Sequence, residues 1–349
     1  MKNYAKYTGD AMEVSLTDPK YGGPQFIGKL FTEMLSRLPS PEEYIQYRDM
    51  IEKAGCSWDT LVKVVDAFFS AEAVTGQDLT AKQNAFALYR AILNRDPSDA
   101  EAADMAAKLD AGTSVGDAAR TLANTDEFKG LVPQINNGYY FWTSNNQEHF
   151  TGAAVMTSQE LQALLAKQDV VELEPGTLVL VSETVLIPAG KTLRTKGEGH
   201  LHYTQMARMM RTKNDDKPMV AINENAIIQN VWVDGNRPSF YEADELGEGQ
   251  NIVTKENYTR VVDCRLSDTI GGTHLLGSDC LYGGYVARNL ITGYATDHQF
   301  NWADGITYAS TDSVIEDNEV IDCTDVGIIV FRFVSPGYTK PQTTKVVNN

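Results

Sequence analysis

Hydrophobic positions change their spacing partway along the chain. Between about Phe26 and Phe128 apolar residues recur three and four apart, as in Leu61, Val64, Val65, Phe68 and Phe69 and again in Phe86, Tyr89, Ile92 and Leu93. That spacing puts them on one face of a helix. From about Val170 short β-branched runs alternate with Gly, Asn and Asp: Thr177–Val181, Thr184–Ile187, Ala226–Val233, Ser313–Glu316 and Gly327–Phe331. Such runs, bounded by turn residues, predict strands. Between the two textures a helix is expected over Gln159–Lys167, capped by Thr157 or Ser158, with Leu161, Leu164 and Leu165 on one face.

The helical third carries paired start and stop signals. Ser40-Pro41-Glu42-Glu43 and Ser98-Asp99-Ala100-Glu101 are both capping boxes, and Gly55 and Gly112 suit the residue just past a helix end. Leu35-Ser-Arg-Leu-Pro-Ser40 aligns with Leu93-Asn-Arg-Asp-Pro-Ser98 at an offset of 58, and Ser57 aligns with Ser114 at 57. Ser70-Ala-Glu72 aligns with Thr125-Asp-Glu127 at 55, with Ala73 standing where the second copy has Phe128. A duplication is expected, in which each copy is a helical hairpin plus one more helix and two copies together bury an apolar face. Arg37 and Arg95 are expected to tie helix ends to nearby carboxylates. Leu88-Tyr-Arg-Ala-Ile-Leu-Asn-Arg-Asp-Pro97, ending in Thr125-Asp-Glu-Phe128, resembles a small helical family of unknown function in bacterial secreted and surface proteins. It is also similar to phycobilisome linker repeats. That family supplies no catalytic residues.

The strand-rich part shows a loose period. Asn289, Asn318 and Asn348 are 29 and 30 residues apart, Asp263 lies 26 before Asn289, and Asn230 lies 33 before Asp263. Turn residues recurring about one coil apart predict a parallel β-helix, whose rungs stack at ~4.8 Å. A β-sandwich would show tighter, more regular turns. On the β-helix reading Asn289, Asn318 and Asn348 form an internal amide ladder. Leu173-Glu-Pro-Gly-Thr-Leu178, Thr184–Leu193 and Gly197-Glu-Gly199 resemble the entry coil of right-handed parallel β-helix proteins of the pectate-lyase-like group. Val231-Trp-Val-Asp-Gly-Asn236 is similar to a coil of polygalacturonase-related members, and Trp302–Ile306, Val314–Asn318 and Thr324–Ile328 fit the same group. The expected class is mainly β: a right-handed parallel β-helix preceded by an all-α helical repeat domain. The expected divisions are an N-terminal arm at 1–25, a duplicated helical domain at 26–132, a linker at 133–156 and the β-helix at 157–349. The β-helix is expected to be incomplete at its C-terminal end, so a missing capping segment or a homotrimer is expected to cover it.

Charge narrows the partners. The 349 residues carry 30 Lys+Arg against 47 Asp+Glu, a net charge of −17. A nucleic-acid partner is excluded on that balance, because its phosphates demand clustered basic residues. No run approaches the ~20 apolar residues of a membrane-spanning helix, so no membrane insertion is expected. Cys56, Cys264, Cys280 and Cys323 include no Cys-x-x-Cys. They read as mostly buried small hydrophobes, and Cys264 and Cys323, two coils apart, lie too far from each other for a disulfide. The N-terminus lacks the apolar stretch of a secretory signal. The expected location is extracellular or cell surface by a route without such a signal, or a virion.

Candidate chemistry gathers late in the chain. Tyr294, Asp297 and His298 are followed by Trp302 and Asp304, and about one coil later by Asp325 and Arg332. Stacked carboxylates raise one another's pKa. Tyr294 or His298 could move a proton, Arg332 could neutralise a uronate carboxylate, and Trp302 could stack on a sugar. Tyr294-x-x-Asp297-His298 resembles the catalytic cluster of mannuronan epimerases, which carry a proline between Asp and His. A second set is Asp263, Arg265, Asp268, His274 and Asp279, in which Arg265 and His274 are expected to bind substrate. The polygalacturonase Asn-Thr-Asp and Asp-Asp pattern is absent. The acidic loop Tyr241–Glu248 would be the place for Ca²⁺, although it lacks EF-hand spacing, so no metal or cofactor is assigned. The basic stretch Arg208–Lys217 reads as a solvated loop. The expected activity is that of an extracellular polysaccharide-acting protein, a uronan lyase or C5-epimerase with acidic polysaccharide as partner. The alternative is a non-catalytic surface or virion adhesin, with the β-helix as rod and the helical repeat for attachment.

Overall fold

The computed structural model describes residues 19–136, 154–240, 246–279, 281–293, 303–321, 323, 325–331 and 343–349. The chain divides into two compact units, Met1–Phe150 and Thr151–Asn349.

The first unit is helical, with helices Pro19–Leu35, Pro41–Ala54, Trp58–Phe69, Glu72–Thr75, Ala81–Leu93, Asp99–Asp110, Val115–Ala123 and Asp126–Asn136. The first begins ahead of Phe26, and the last runs beyond 132. Ser40 and Ser98 cap their helices with complete capping boxes and nearly identical backbone angles. Ser36 and Asn94, 58 residues apart, both take positive φ before the cap. Arg37 then donates to the Leu38 carbonyl and forks onto Glu43, while Arg95 donates to the Asp96 carbonyl and forks onto Glu101. The two arginines lie over Phe31 and Tyr89, each 5.2 Å from the ring centre. Both arginines therefore tie helix ends to carboxylates. The correspondence between the two segments stops at the following short helix. Phe128 is fully buried and anchors an eleven-residue helix, whereas the helix carrying Ala73 has only four residues. Behind these caps Arg90 is buried between Glu33 and Asp96, at 2.7 and 2.6 Å.

The second unit is a parallel β-helix. Sheet A stacks Val155–Thr157, Leu178–Val181, Ala207–Arg211, Val231–Asp234, Arg265–Ser267, Leu290–Thr292 and Glu319–Ile321. Sheet B stacks Val170–Leu173, Thr192–Thr195, Ile227–Gln229, Arg260–Val262, Tyr285–Ala287, Ser313–Glu316 and Thr344–Val347. Sheet C stacks Val185–Ile187, Val220–Ile222, Ile252–Thr254, Gly272–Gly277, Ala303–Tyr308 and Ile328–Val330. Every strand pair is parallel. Inward positions form aliphatic columns, such as Val171, Leu193, Ile228, Val261, Val286 and Ile315 in sheet B. Burying each such side chain contributes about 1.5–3 kcal/mol.

The corner from sheet B to sheet A is a single residue of positive φ: Asn230, Asp263, Arg288 and Asp317 in successive coils, and Asn348 after the last strand. Asn and Asp enter this left-handed region most easily, because their short side chains bond locally. The run Ala226–Val233 is therefore two strands broken at Asn230, not one. The residue after the corner points inward and builds the ladder. Asn289 donates both its backbone N–H and its Nδ2 to Asn318 Oδ1, at 3.1 and 2.8 Å. Asn318 does the same to Asn349 Oδ1, at 3.0 and 2.7 Å. The third rung is Asn349 and not Asn348. The two asparagines are adjacent, and Asn348 takes the corner.

The two ends of the β-helix differ. Helix Ser158–Lys167, capped by Thr157 with Glu160, buries Leu161 and Leu165 against the first coils. Gln162 imitates a strand edge, accepting from the Leu186 N–H at 2.8 Å and donating to its carbonyl at 3.0 Å. At the other end Val326, Val330, Phe331, Val346 and Val347 are 39–47% exposed. No helix among the described residues is long and apolar enough to cross a membrane.

Candidate functional site

Strand Ala303–Tyr308 lies beside Gly272–Gly277, with Thr273 opposite Asp304. Asp304 is half-buried. Its Oδ2 accepts from the Thr307 hydroxyl at 2.7 Å and its Oδ1 from the Val326 N–H at 3.2 Å. The next coil is laid across the strand by the Asp325 N–H, 3.4 Å from the Ala303 carbonyl. Burial pushes the Asp304 carboxyl above its ordinary range, the donated bonds oppose this, and the Asp325 charge adds to it. Asp304 is thus a half-buried carboxyl held above its ordinary range, and Asp325 is an exposed carboxylate beside it.

His274 supports this arrangement from below. Its Nδ1 lies 2.8 Å from the Asp304 backbone carbonyl, and the ring is buried. Burial pushes its pKa down to about 4, so the ring is neutral at neutral pH. Because its partner is a carbonyl oxygen, the proton sits on Nδ1. His274 therefore positions the Asp304 backbone and presents no surface to a ligand.

Of the residues singled out in the sequence, Asp304, Asp325 and His274 meet, while Arg265 does not join them. Tyr294, Asp297, His298, Trp302 and Arg332 lie outside the described residues. Arg265 is fully buried on the outer side of sheet A, with its guanidinium 4.0 Å from the Tyr203 ring centre and 5.3 Å from that of Trp232. A substrate-binding role for Arg265 and His274 does not fit their burial. The basic stretch is only partly solvated. Arg208 is buried against Asp234 and lies 4.1 Å over Trp232. Arg211 donates to the carbonyls of Lys217, Gly249 and Gln250, and burial lowers its pKa to about 10. In the acidic loop 241–245 are outside the described residues, and Gly247 and Glu248 are held by Asn214 and Asp216. Among the described residues no group of three His, Cys, Asp or Glu is placed to hold a metal ion.

Sequence reasoning missed the outer face of sheet B. Corner residues Asp263 and Arg288 lie one coil apart and pair at 2.7 and 2.9 Å. Burial opposes the Asp263 charge, but the Arg288 bonds outweigh it and hold the carboxyl below its ordinary range. Gln229 also donates to Asp263, and His200 Nδ1 lies 3.6 Å away. Beside them Tyr285 donates its hydroxyl to Glu316 at 2.6 Å, and Arg260 lies 4.7 Å over the Tyr285 ring. Asp263 and Arg288 each precede a member of the inner column, Cys264 and Asn289. That signal was available to stack them.

No protein-family model matches the chain, and no curated protein matches it. Among solved structures it is similar to an alginate lyase from Paenibacillus sp. str. FPU-7, at 13% identity over 47% of this chain and 74% of that one. The TM-score is 0.25, too low to carry an argument.

Proposed function

We propose that the protein acts on uronate-containing polysaccharide as a lyase or C5-epimerase. The observation that carries this reading is Asp304, half-buried with a raised pKa beside Asp325 on the β-helix surface. The reading adds the neighbours in sequence. Tyr294 or His298 takes the C5 proton, Asp297 and Asp325 tune the charge, Arg332 neutralises the uronate carboxylate and Trp302 supports the sugar. In the lyase the C5–H and C4–O bonds break, a C4–C5 double bond forms, and the leaving oxygen takes a proton. In the epimerase the proton returns to the opposite face of C5.

The test is incubation with a panel of uronans in D₂O, following ultraviolet absorbance of unsaturated product and deuterium at C5. One signal is expected with the native chain, and its loss in Asp304→Asn. Neither signal on any uronan overturns the reading. The burial of Arg265 and His274, which takes two expected substrate groups out of reach, favours a second reading, a non-catalytic surface or virion rod. Trimers in sedimentation and glycan binding without turnover would establish it.

A further inference from the structure

We infer that the outer face of sheet B is a separate binding surface for a uronate-bearing glycan chain. Pairing places Arg260, Tyr285, Val314 and Lys345 in one row on successive coils. Alternation with the buried column Val261, Val286 and Ile315 turns that row outward. Arg260 and Lys345 are exposed. Apart from the Arg260 contact with the Tyr285 ring, neither side chain makes an ion pair or hydrogen bond among the described residues.

The two cations stand three rungs apart, about 14 Å at ~4.8 Å per rung. Between them lie Tyr285 and Val314, both half-buried. The carboxylates flanking this row have other hydrogen-bond partners, although Glu316 and Asp312 keep their charge: Glu316 accepts from Tyr285, Asp312 from Thr343, and Asp263 is held by Arg288 and Gln229. In a chain of net charge −17 two cations without an ion pair among the described residues thus flank a partly apolar strip. A neutral glycan would find no use for both cations, and a single small anion could reach only one. A polymer bearing repeated carboxylates matches the row, with Arg260 presenting a fork to one carboxylate and Lys345 a point charge to another. The surface shares the glycan class proposed for Asp304 but takes no part in the chemistry there.

The test titrates the full chain with short mannuronate, guluronate and galacturonate oligomers, with a neutral gluco-oligomer and with inorganic sulfate. Binding of at least one uronate oligomer is expected, weakening with salt. Arg260→Gln and Lys345→Gln should each weaken it about tenfold, the loss of one charge-assisted contact. Arg260→Lys should recover part of the affinity. Both positions are exposed, so unchanged thermal midpoints will show that the variants fold. No binding, equal binding of the neutral oligomer, equal affinity for sulfate, or affinity insensitive to both substitutions overturns the inference. Binding without turnover leaves it standing while the proposed activity at Asp304 fails.

Discussion

The outer faces of sheets A and B carry the same chemistry in opposite surroundings. On sheet A, Arg208 and Arg265 lie against Trp232 and Tyr203, and all four side chains are buried. On sheet B, Arg260 lies over Tyr285 with the guanidinium exposed. A cation on an aromatic ring is worth more once desolvated, but only if its charge is also balanced. Arg208 meets that condition with Asp234, which also accepts from Ser267, itself bonded by the Trp232 indole. Sheet B leaves water to do this. The same pair of residue types is therefore structural on one face and accessible on the other.

Breaking the dry face should have the largest effect. Arg208→Ala strands Asp234 as a buried charge, and a loss of about 3–5 kcal/mol is expected from denaturant unfolding of the β-helix unit. Replacing Arg208 and Asp234 together by apolar residues should restore much of it.

Acid offers the next test. The unfolded His274 takes up its proton near pH 6.5, the folded one only near 4. The unfolded state thus binds more protons in that window, and stability falls as pH drops through it. The expected loss from this group is about 3 kcal/mol at about 1.4 per unit, with none above the unfolded pKa. In His274→Gln that slope should vanish from stability measured against pH.

Sheet B should respond less, because the Asp263 carboxylate keeps the Gln229 bond when Arg288 is removed. Arg288→Ala removes the Asp263 pair and puts alanine at a φ of 54°. Arg288→Asn loses the pair but suits the left-handed corner, so its melting should show the smaller loss, by about 1 kcal/mol. Arg260→Gln should change stability by less than about 0.5 kcal/mol while affecting glycan binding.

What could be read in advance follows the range of the forces. The capping boxes at Ser40 and Ser98 involve residues three apart, so the sequence states them directly, while the choice of Thr157 over Ser158 came from the structure. Asn289 and Asn318 were legible because one coil is a nearly constant length of chain. The ladder's third member slipped by one, since adjacent Asn348 and Asn349 both suit a corner and periodicity cannot divide two roles between identical residues. Arg265 and His274 read as substrate groups, because a polar residue on an outward position looks solvated. Tyr203, 62 residues away in sequence, lies against Arg265, and the next coil holds His274 through the Asp304 carbonyl, contacts between distant segments that no local pattern reports.

By itself the sequence determined the change from helical to strand spacing, the helix starts and the stacking of coils, all local or periodic properties. Tertiary structure alone decided which outward arginines are dry, that Asp304 rests on His274, and that Arg260 and Lys345 share a row. Burial and charge balance depend on what lies across the gap between segments, and hydrophobic periodicity carries no information about that distance.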